Sequence, residues 1–528
     1  MTKKPALSSC GCCSATACPA HPGDGITRRD FLVGAGVVAG AAAMGGLALS
    51  SLKARAAQES ARRSLINLPL RMQPVLLYQI FQHQKATSWR PWGGLHTEAQ
   101  VTEEKSRIED ELKAMVQRAD FPIEMLPLVA VKSRSEADQV AQGKHDGVII
   151  YAASGGGDLI ETLAVPDKWN LIFVRHRSGP VYLWYEIAHP IFLRKMLDQF
   201  GRPGMDVQDV VVDNPDEVLW RLRALHGLKN TLGKRIVAIG GASGWGPGGA
   251  KAPEITRNLW KMEIVNVPYP DLGKYIQQAR QNDDLVARCR GEAGKYLAQQ
   301  GVSLETDRQF VEKAFVLCEV FKDLLDAAET DAITINSCMG TIMPMSETTA
   351  CLPLSLLNDA GYLAFCESDF VVIPSGIMLH YISSKPVFLN DPTYPHDNLV
   401  TLAHCTAPRK MDGANYEDTR ILTHFESDYG AAPKVNMRLG APLTTLAPDF
   451  ACKRWVGFDG EIVDHPFLDI CRSQIDVRIK GGSDRLLEEM QGFHWMCSYG
   501  NYLRETGYAL RKVGVDFLNL SPAKAPLA

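Results

Sequence analysis

Residues 366–405 read CESDFVVIPSGIMLHYISSKPVFLNDPTYPHDNLVTLAHC. Two acids in this stretch each close an apolar run: Glu367 follows residues 362–366, and Asp391 follows residues 386–390. His404 ends a third run, 399–403. An ionised carboxylate beside a buried strand is costly unless it is paired or binds a metal. Two carboxylates and an imidazole at strand ends suit a hard divalent cation such as manganese, magnesium or iron(II). The same stretch marks a change in the texture of the chain, and that change sets the fold class.

Ahead of it, apolar runs alternate with amphipathic ones. Strands are expected at 74–79, 123–131, 147–152, 170–174 and 207–212, with helices at 101–119, 135–142, 191–199 and 216–228. Strand alternating with helix predicts a parallel sheet covered on both faces, here a doubly wound domain over 68–228. A second follows over 229–370, with strands at 234–240, 263–267, 331–336 and 362–366 and helices at 272–279, 283–300, 306–328 and 346–359. From 371 to 528 helical periodicity fades and Pro, Thr, Gly and β-branched residues increase, so a β-rich, barrel-like domain is expected. Its strands include 438–446, 455–464 and 475–479, Asp459-Gly460 reads as a hairpin turn, and 486–512 returns to helix. The fold class is therefore α/β, with two doubly wound domains followed by a β-rich C-terminal domain.

The chain has 528 residues, 46% hydrophobic and 22% charged, with a formal net charge of −4. This balance, with no long basic run in the body, points away from a general nucleic-acid binder and toward a small-molecule substrate or a protein partner. Residues 1–56 differ. Arg28-Arg29 precede a Gly/Ala-rich apolar run and an Ala54-Arg55-Ala56 site, the order of a twin-arginine signal peptide. The expected partner is the twin-arginine export machinery and the expected location the periplasm, with a retained membrane anchor as the alternative. Of 13 cysteines, Cys10, Cys12, Cys13 and Cys18 precede the apolar run; the rest are scattered and read as buried thiols, Cys366 and Cys405 among them.

His494, in GFHWMCSYG, is the fourth candidate for the cation site. Such a set suits aldose–ketose interconversion, in which a carboxylate carries a proton between C2 and C1 while a divalent cation holds the substrate oxygens. The motifs resemble the L-fucose/L-arabinose isomerase superfamily. Residues 366–370 (CESDF) are similar to the turn bearing the first acid of its arabinose branch. Residues 388–396 (FLNDPTYPH) resemble the segment of the second acid, and 402–408 (LAHCTAP) the piece bearing the next histidine. His494 before Ser498-Tyr499 matches the last. The resemblance spans roughly 70–528. It implies a metal site of Glu367, Asp391, His404 and His494, with the two acids sharing the proton transfer. It also implies a divalent cofactor (manganese foremost, with magnesium, iron(II) or cobalt as alternatives), a carbohydrate substrate, and a homo-oligomer, trimer or hexamer. The sequence departs from the arabinose branch where Asp391 replaces a glutamate and Trp495 follows His494.

His396 and Tyr394, just past Asp391, are candidate substrate contacts. Trp92, with Trp89 in SWRPWGG, offers a ring for sugar stacking or merely packs its loop. The run 240–249 (GGASGWGPGG) follows a strand, but Pro247 and the absence of a ribose-binding acid make it a poor dinucleotide motif and a better cleft-lining loop. Two other readings stay open: a different metal-assisted reaction on a sugar or sugar acid, such as epimerisation or β-elimination, and a non-catalytic periplasmic sugar-binding protein.

Overall fold

The computed structural model describes residues 67–185 and 205–521. The expected signal peptide and the helix at 191–199 lie outside the described residues. No helix among the described residues is long and apolar enough to cross a membrane. The chain divides into two compact units, Asn67–Lys229 and the part from Asn230 onward.

The first unit is a parallel sheet built from β1 (Leu70–Leu77), β2 (Ile123–Met125), β3 (Val129–Val131), β4 (Gly147–Ala152), β5 (Trp169–Val174) and β6 (Val210–Val212). Its order is β2-β1-β4-β5-β6, with β3 also on β1. β2 and β3 were expected as one strand; Pro127 between them cannot donate to a ladder, and β1 takes up the two pieces separately. Central strands β4 and β5 are apolar but for Asn170 and buried on both faces, as parallel strands under helices must be. Arg175, fully buried just past β5, is held by Glu104 at 2.5 Å and Glu111 at 2.9 Å.

The second unit opens with β7 (Arg235–Ile239), β8 (Glu263–Val267), β9 (Val302–Leu304), β10 (Ala332–Ile335) and β11 (Leu363–Cys366). Four of these form a parallel sheet in the order β11-β10-β7-β8. The order reverses between β7 and β10, so the loops leaving their carboxyl ends flank the crevice where such sheets bind ligands. After it come β12 (Phe388–Pro392), β13 (Leu399–His404), β14 (Thr419–His424), β15 (Tyr429–Val435), β16 (Pro442–Pro448), β17 (Arg454–Asp464), β18 (Ser473–Ile479), β19 (Trp495–Tyr499) and β20 (Asp516–Asn519). Strands β16-β19-β12-β13-β18-β17 close into a six-stranded antiparallel barrel through the β16–β17 pairing. Phe388, Leu402, Val456, Phe458, Ile475 and Trp495 are among the residues of its core. The expected class, α/β sheets followed by a β-barrel, is the observed one.

Three local expectations fail, each for a physical reason. The helix Ile373–Ser383 falls where helical periodicity was expected to be lost. It is apolar on nearly every side because it is packed from several directions, so it carries no polar stripe to read. Asp459-Gly460 is no hairpin turn; both residues lie inside β17, paired with Thr444 and Leu443, and Gly460 also with Ile479. A Cβ at Gly460 would come within 2.3 Å of Val477 Cγ1, so glycine here serves strand packing. The expected helix over 486–512 is interrupted by β19, whose alternate residues fill the barrel.

The buried helix ties the sheet to the barrel. A Cβ on Gly376 would lie 2.8 Å from the Phe365 ring on β11 and 2.6 Å from Met496 Cε on β19. Gly376→Val should therefore lower stability by about 1–3 kcal/mol. Chemical denaturation checks this, and an unchanged midpoint would show the contact to be slack.

Candidate metal centre

Glu367 stands immediately after β11, at the carboxyl end of the parallel sheet. Its backbone is left-handed (φ 64°), and so is that of Ser368 (φ 47°). Two consecutive non-glycine residues in this region are strained and persist only when the surroundings fix them. Here the Ser368 N–H donates to Thr334 Oγ1 at 3.1 Å, and Ser368 O accepts from the Ser243 N–H at 3.2 Å. Ser243 also bridges Asp369 in parallel fashion. The glycine-rich loop after β7 thus clamps the turn that aims Glu367.

The other three residues come from adjacent barrel strands or the residue entering one. Asp391 lies on β12 and His404 ends β13, where Asp391 pairs with Ala403. His494 precedes β19, and the β12–β19 register, Asn390 opposite Trp495, places it across from Asp391 when continued by one residue. His494 Nε2 is 3.2 Å from Glu367 Oε2 and 3.3 Å from Asp391 Oδ1. His404 Nε2 is 3.6 Å from Glu367 Oε1. Both imidazoles are almost wholly buried, and the two carboxylates keep about a fifth of their side-chain surface.

Each ring is fixed from behind. His494 Nδ1 donates to Asp369 Oδ2 at 2.8 Å. Asp369 Oδ1 in turn accepts the backbone N–H groups of Trp245 at 3.2 Å and Val371 at 3.0 Å. His404 Nδ1 lies 3.0 Å from Thr406 Oγ1. Both Nε2 atoms therefore face the carboxylates. Asp369 had no reading of its own in the sequence; its only signal is its place two residues past Glu367.

Burial alone would neutralise every group in this cluster. It pushes the Asp391 carboxyl upward, and burial prevails there. For Glu367 the His494 and His404 rings outweigh burial and hold the carboxyl well below its usual range. For the histidines burial favours the neutral ring, but the nearby carboxylates, Glu367 foremost, win and raise both pKa values. His494 Nε2 and Asp391 Oδ1 are buried without a hydrogen-bond partner, although each lies close to the other. Buried polar atoms are normally satisfied. With the rings deprotonated at Nε2, the same converging nitrogen and oxygen atoms fit a cation.

Two groups have ligand atoms all within 4.8 Å of one another: Asp391, His404 and His494, and Cys366, Glu367 and His404. Each can hold a metal ion. The first supplies oxygen and imidazole nitrogen, the donors of manganese, iron(II) and cobalt sites. No family model matches this chain. No curated protein matches it either.

His396 and Tyr394 sit in the β12–β13 turn; His396 bonds Asp397 at 2.9 Å, and Tyr394 is 72% exposed. Trp92 is 68% exposed on the first unit, and Trp89 packs edge-on against His83. In the loop after β7, Trp245 stacks on Phe493 with centroids 4.0 Å apart, and Phe493 meets the His494 ring edge-on. A cavity of about 500 Å³ lined by Gln299, Gln300, Tyr416 and Asp418 includes none of the ligand candidates.

Two outcomes follow from this geometry. Asp369→Asn removes the anionic acceptor behind His494 and should weaken metal binding roughly 10–100-fold, measured by chelator competition, while far-UV circular dichroism stays wild-type. Because the carboxylates keep both imidazoles protonated to higher pH than usual, protons compete with the metal. Apparent affinity should rise with pH and fall as pH drops through the raised histidine range. Calorimetric titration at several pH values checks the sign, and a flat profile would contradict it.

Proposed function

We propose that the protein is a metal-dependent aldose–ketose isomerase acting on a carbohydrate through an enediolate. The observation that carries this reading is the convergence of Glu367, Asp391, His404 and His494, with the buried His494 Nε2 and Asp391 Oδ1 without a hydrogen-bond partner. Asp391, His404 and His494 would hold the cation, with Glu367 beside them. A bound divalent cation supplies Lewis-acid stabilisation of the negative charge that develops on the two substrate oxygens. The chain's own residues do the rest. Glu367 and Asp391 share the proton transfer, one taking the proton from C2 and returning it to C1 while the other stays with the cation. Asp369 and Thr406 keep the imidazole nitrogens pointed inward. Trp245 and Phe493 offer an apolar wall beside His494 for the carbon face of a sugar.

Export by the twin-arginine route and assembly into a trimer or hexamer belong to the same proposal. A purely sugar-binding protein has no need of two buried acids and two buried histidines at one point, so the enzyme reading takes precedence. Epimerisation or β-elimination would use the same residues and differs in product.

The test is incubation of the manganese-loaded protein with a panel of aldoses and ketoses in deuterium oxide. Isomerised product carrying solvent deuterium next to the carbonyl is expected. Asp391→Asn and Glu367→Gln should each lower kcat by at least about 100-fold. A metal-loaded protein that turns over no sugar, or releases only an epimer or an elimination product, would overturn the assignment.

A further inference from the structure

Cys366 was expected to be packing alone, yet its sulfur lies within ligand spacing of Glu367 and His404. A second thiol backs it: Cys338 Sγ is 3.6 Å from Cys366 Sγ. Both are buried and free. The cluster therefore has two faces of unlike chemistry. One is oxygen and nitrogen, from Asp391, His404 and His494. The other adds sulfur, from Cys366 with Glu367 and His404.

His404 belongs to both groups, and it has one nitrogen to give. Its Nδ1 is engaged by Thr406 Oγ1, so Nε2 is the only lone pair facing the cluster. Glu367, a ligand candidate of the sulfur-bearing group, turns Oε1 toward His404 and Oε2 toward His494. One cation can use His404 Nε2 at a time. Harder ions prefer the face of oxygen and nitrogen alone, and thiophilic ions the sulfur-bearing one.

We propose that Cys366, Glu367 and His404, with Cys338 in reach, form a second binding position for thiophilic divalent cations such as zinc or cadmium, exclusive of the manganese position. Binding there replaces the thiol proton of Cys366 with a metal–sulfur bond and releases that proton to solvent. A coordinated thiolate also draws Glu367 and His404 toward the sulfur, away from Asp391 and His494. Zinc or cadmium would act as a displacing ion, and the metal supplied to the protein would decide whether the position of Asp391, His404 and His494 is filled. The inference shares the metal cradle with the proposed function but needs none of its sugar chemistry.

Cadmium titration of the full-length metal-free protein, followed by ultraviolet sulfur-to-cadmium charge-transfer absorbance, tests this. A band is expected that saturates with cadmium while bound manganese, read by electron paramagnetic resonance, is released in parallel. Cys366→Ser should remove most of the band and leave manganese affinity within about twofold of wild type, whereas His404→Ala should weaken both ions. Cys405, packed against Cys351 with Cys471 alongside, is the nearest alternative thiol cluster, so Cys405→Ser serves as the control and should keep the band. A band that survives Cys366→Ser and disappears in Cys405→Ser would overturn the proposal. So would cadmium and manganese binding together without displacement. Wild-type protein that binds no manganese at all would instead remove the cradle on which the proposed function rests.

Discussion

Two carboxylates and two imidazoles meet in a space almost closed to water, and their charges constrain everything around them. Glu367 and Asp391 both approach His494 Nε2 within 3.3 Å. Such an arrangement is unfavourable without compensating positive charge, whether from protonated rings or from a cation. The protein holds it with a rigid surround. The left-handed turn at Glu367 and Ser368 is pinned by Thr334 and Ser243. Asp369 links that turn to His494 on the barrel, so the sheet and the barrel are coupled through one carboxylate.

The fold explains why the ligands can come from distant parts of the sequence. A parallel sheet ends its strands at one edge, and Glu367 leaves from that edge. A closed antiparallel barrel brings β13, β12 and β19 side by side, which places His404 and Asp391 on neighbouring strands and His494 at the entry to the third. The buried helix Ile373–Ser383, pressed between Phe365 and Met496, fixes the distance between the two layers. The crevice at the reversal of strand order, bounded by the loops after β7 and β10, is where an α/β sheet receives a ligand. The candidate metal centre lies beside it.

Much of this was legible in the sequence. Most strands of both parallel sheets are short, largely apolar runs, and β4 and β8 were placed to the residue; full burial keeps β4 almost free of polar residues, whereas β8 keeps an exposed Glu263 at its start. The acids and His404 stood out because charge or imidazole at the end of an apolar run is chemically conspicuous. The helix Ile373–Ser383 was hidden by the same rule in reverse: burial on nearly all sides erased its period. Local turn chemistry misled at Asp459-Gly460, where ladders on both sides overrode it. Asp369 and the thiol side of the cluster were missed because their roles depend on distances across the fold. Nothing local marks Asp369 as the partner of His494, or Cys366 as facing His404 instead of only filling a core.

Anomalous diffraction from crystals grown with manganese, recorded at the manganese absorption edge, bears most directly on the metal centre. A single strong peak at bonding distance from His494 Nε2, His404 Nε2 and an Asp391 oxygen is expected. A map without density among these residues, or with the peak elsewhere in the molecule, would contradict a metal centre at the junction of sheet and barrel.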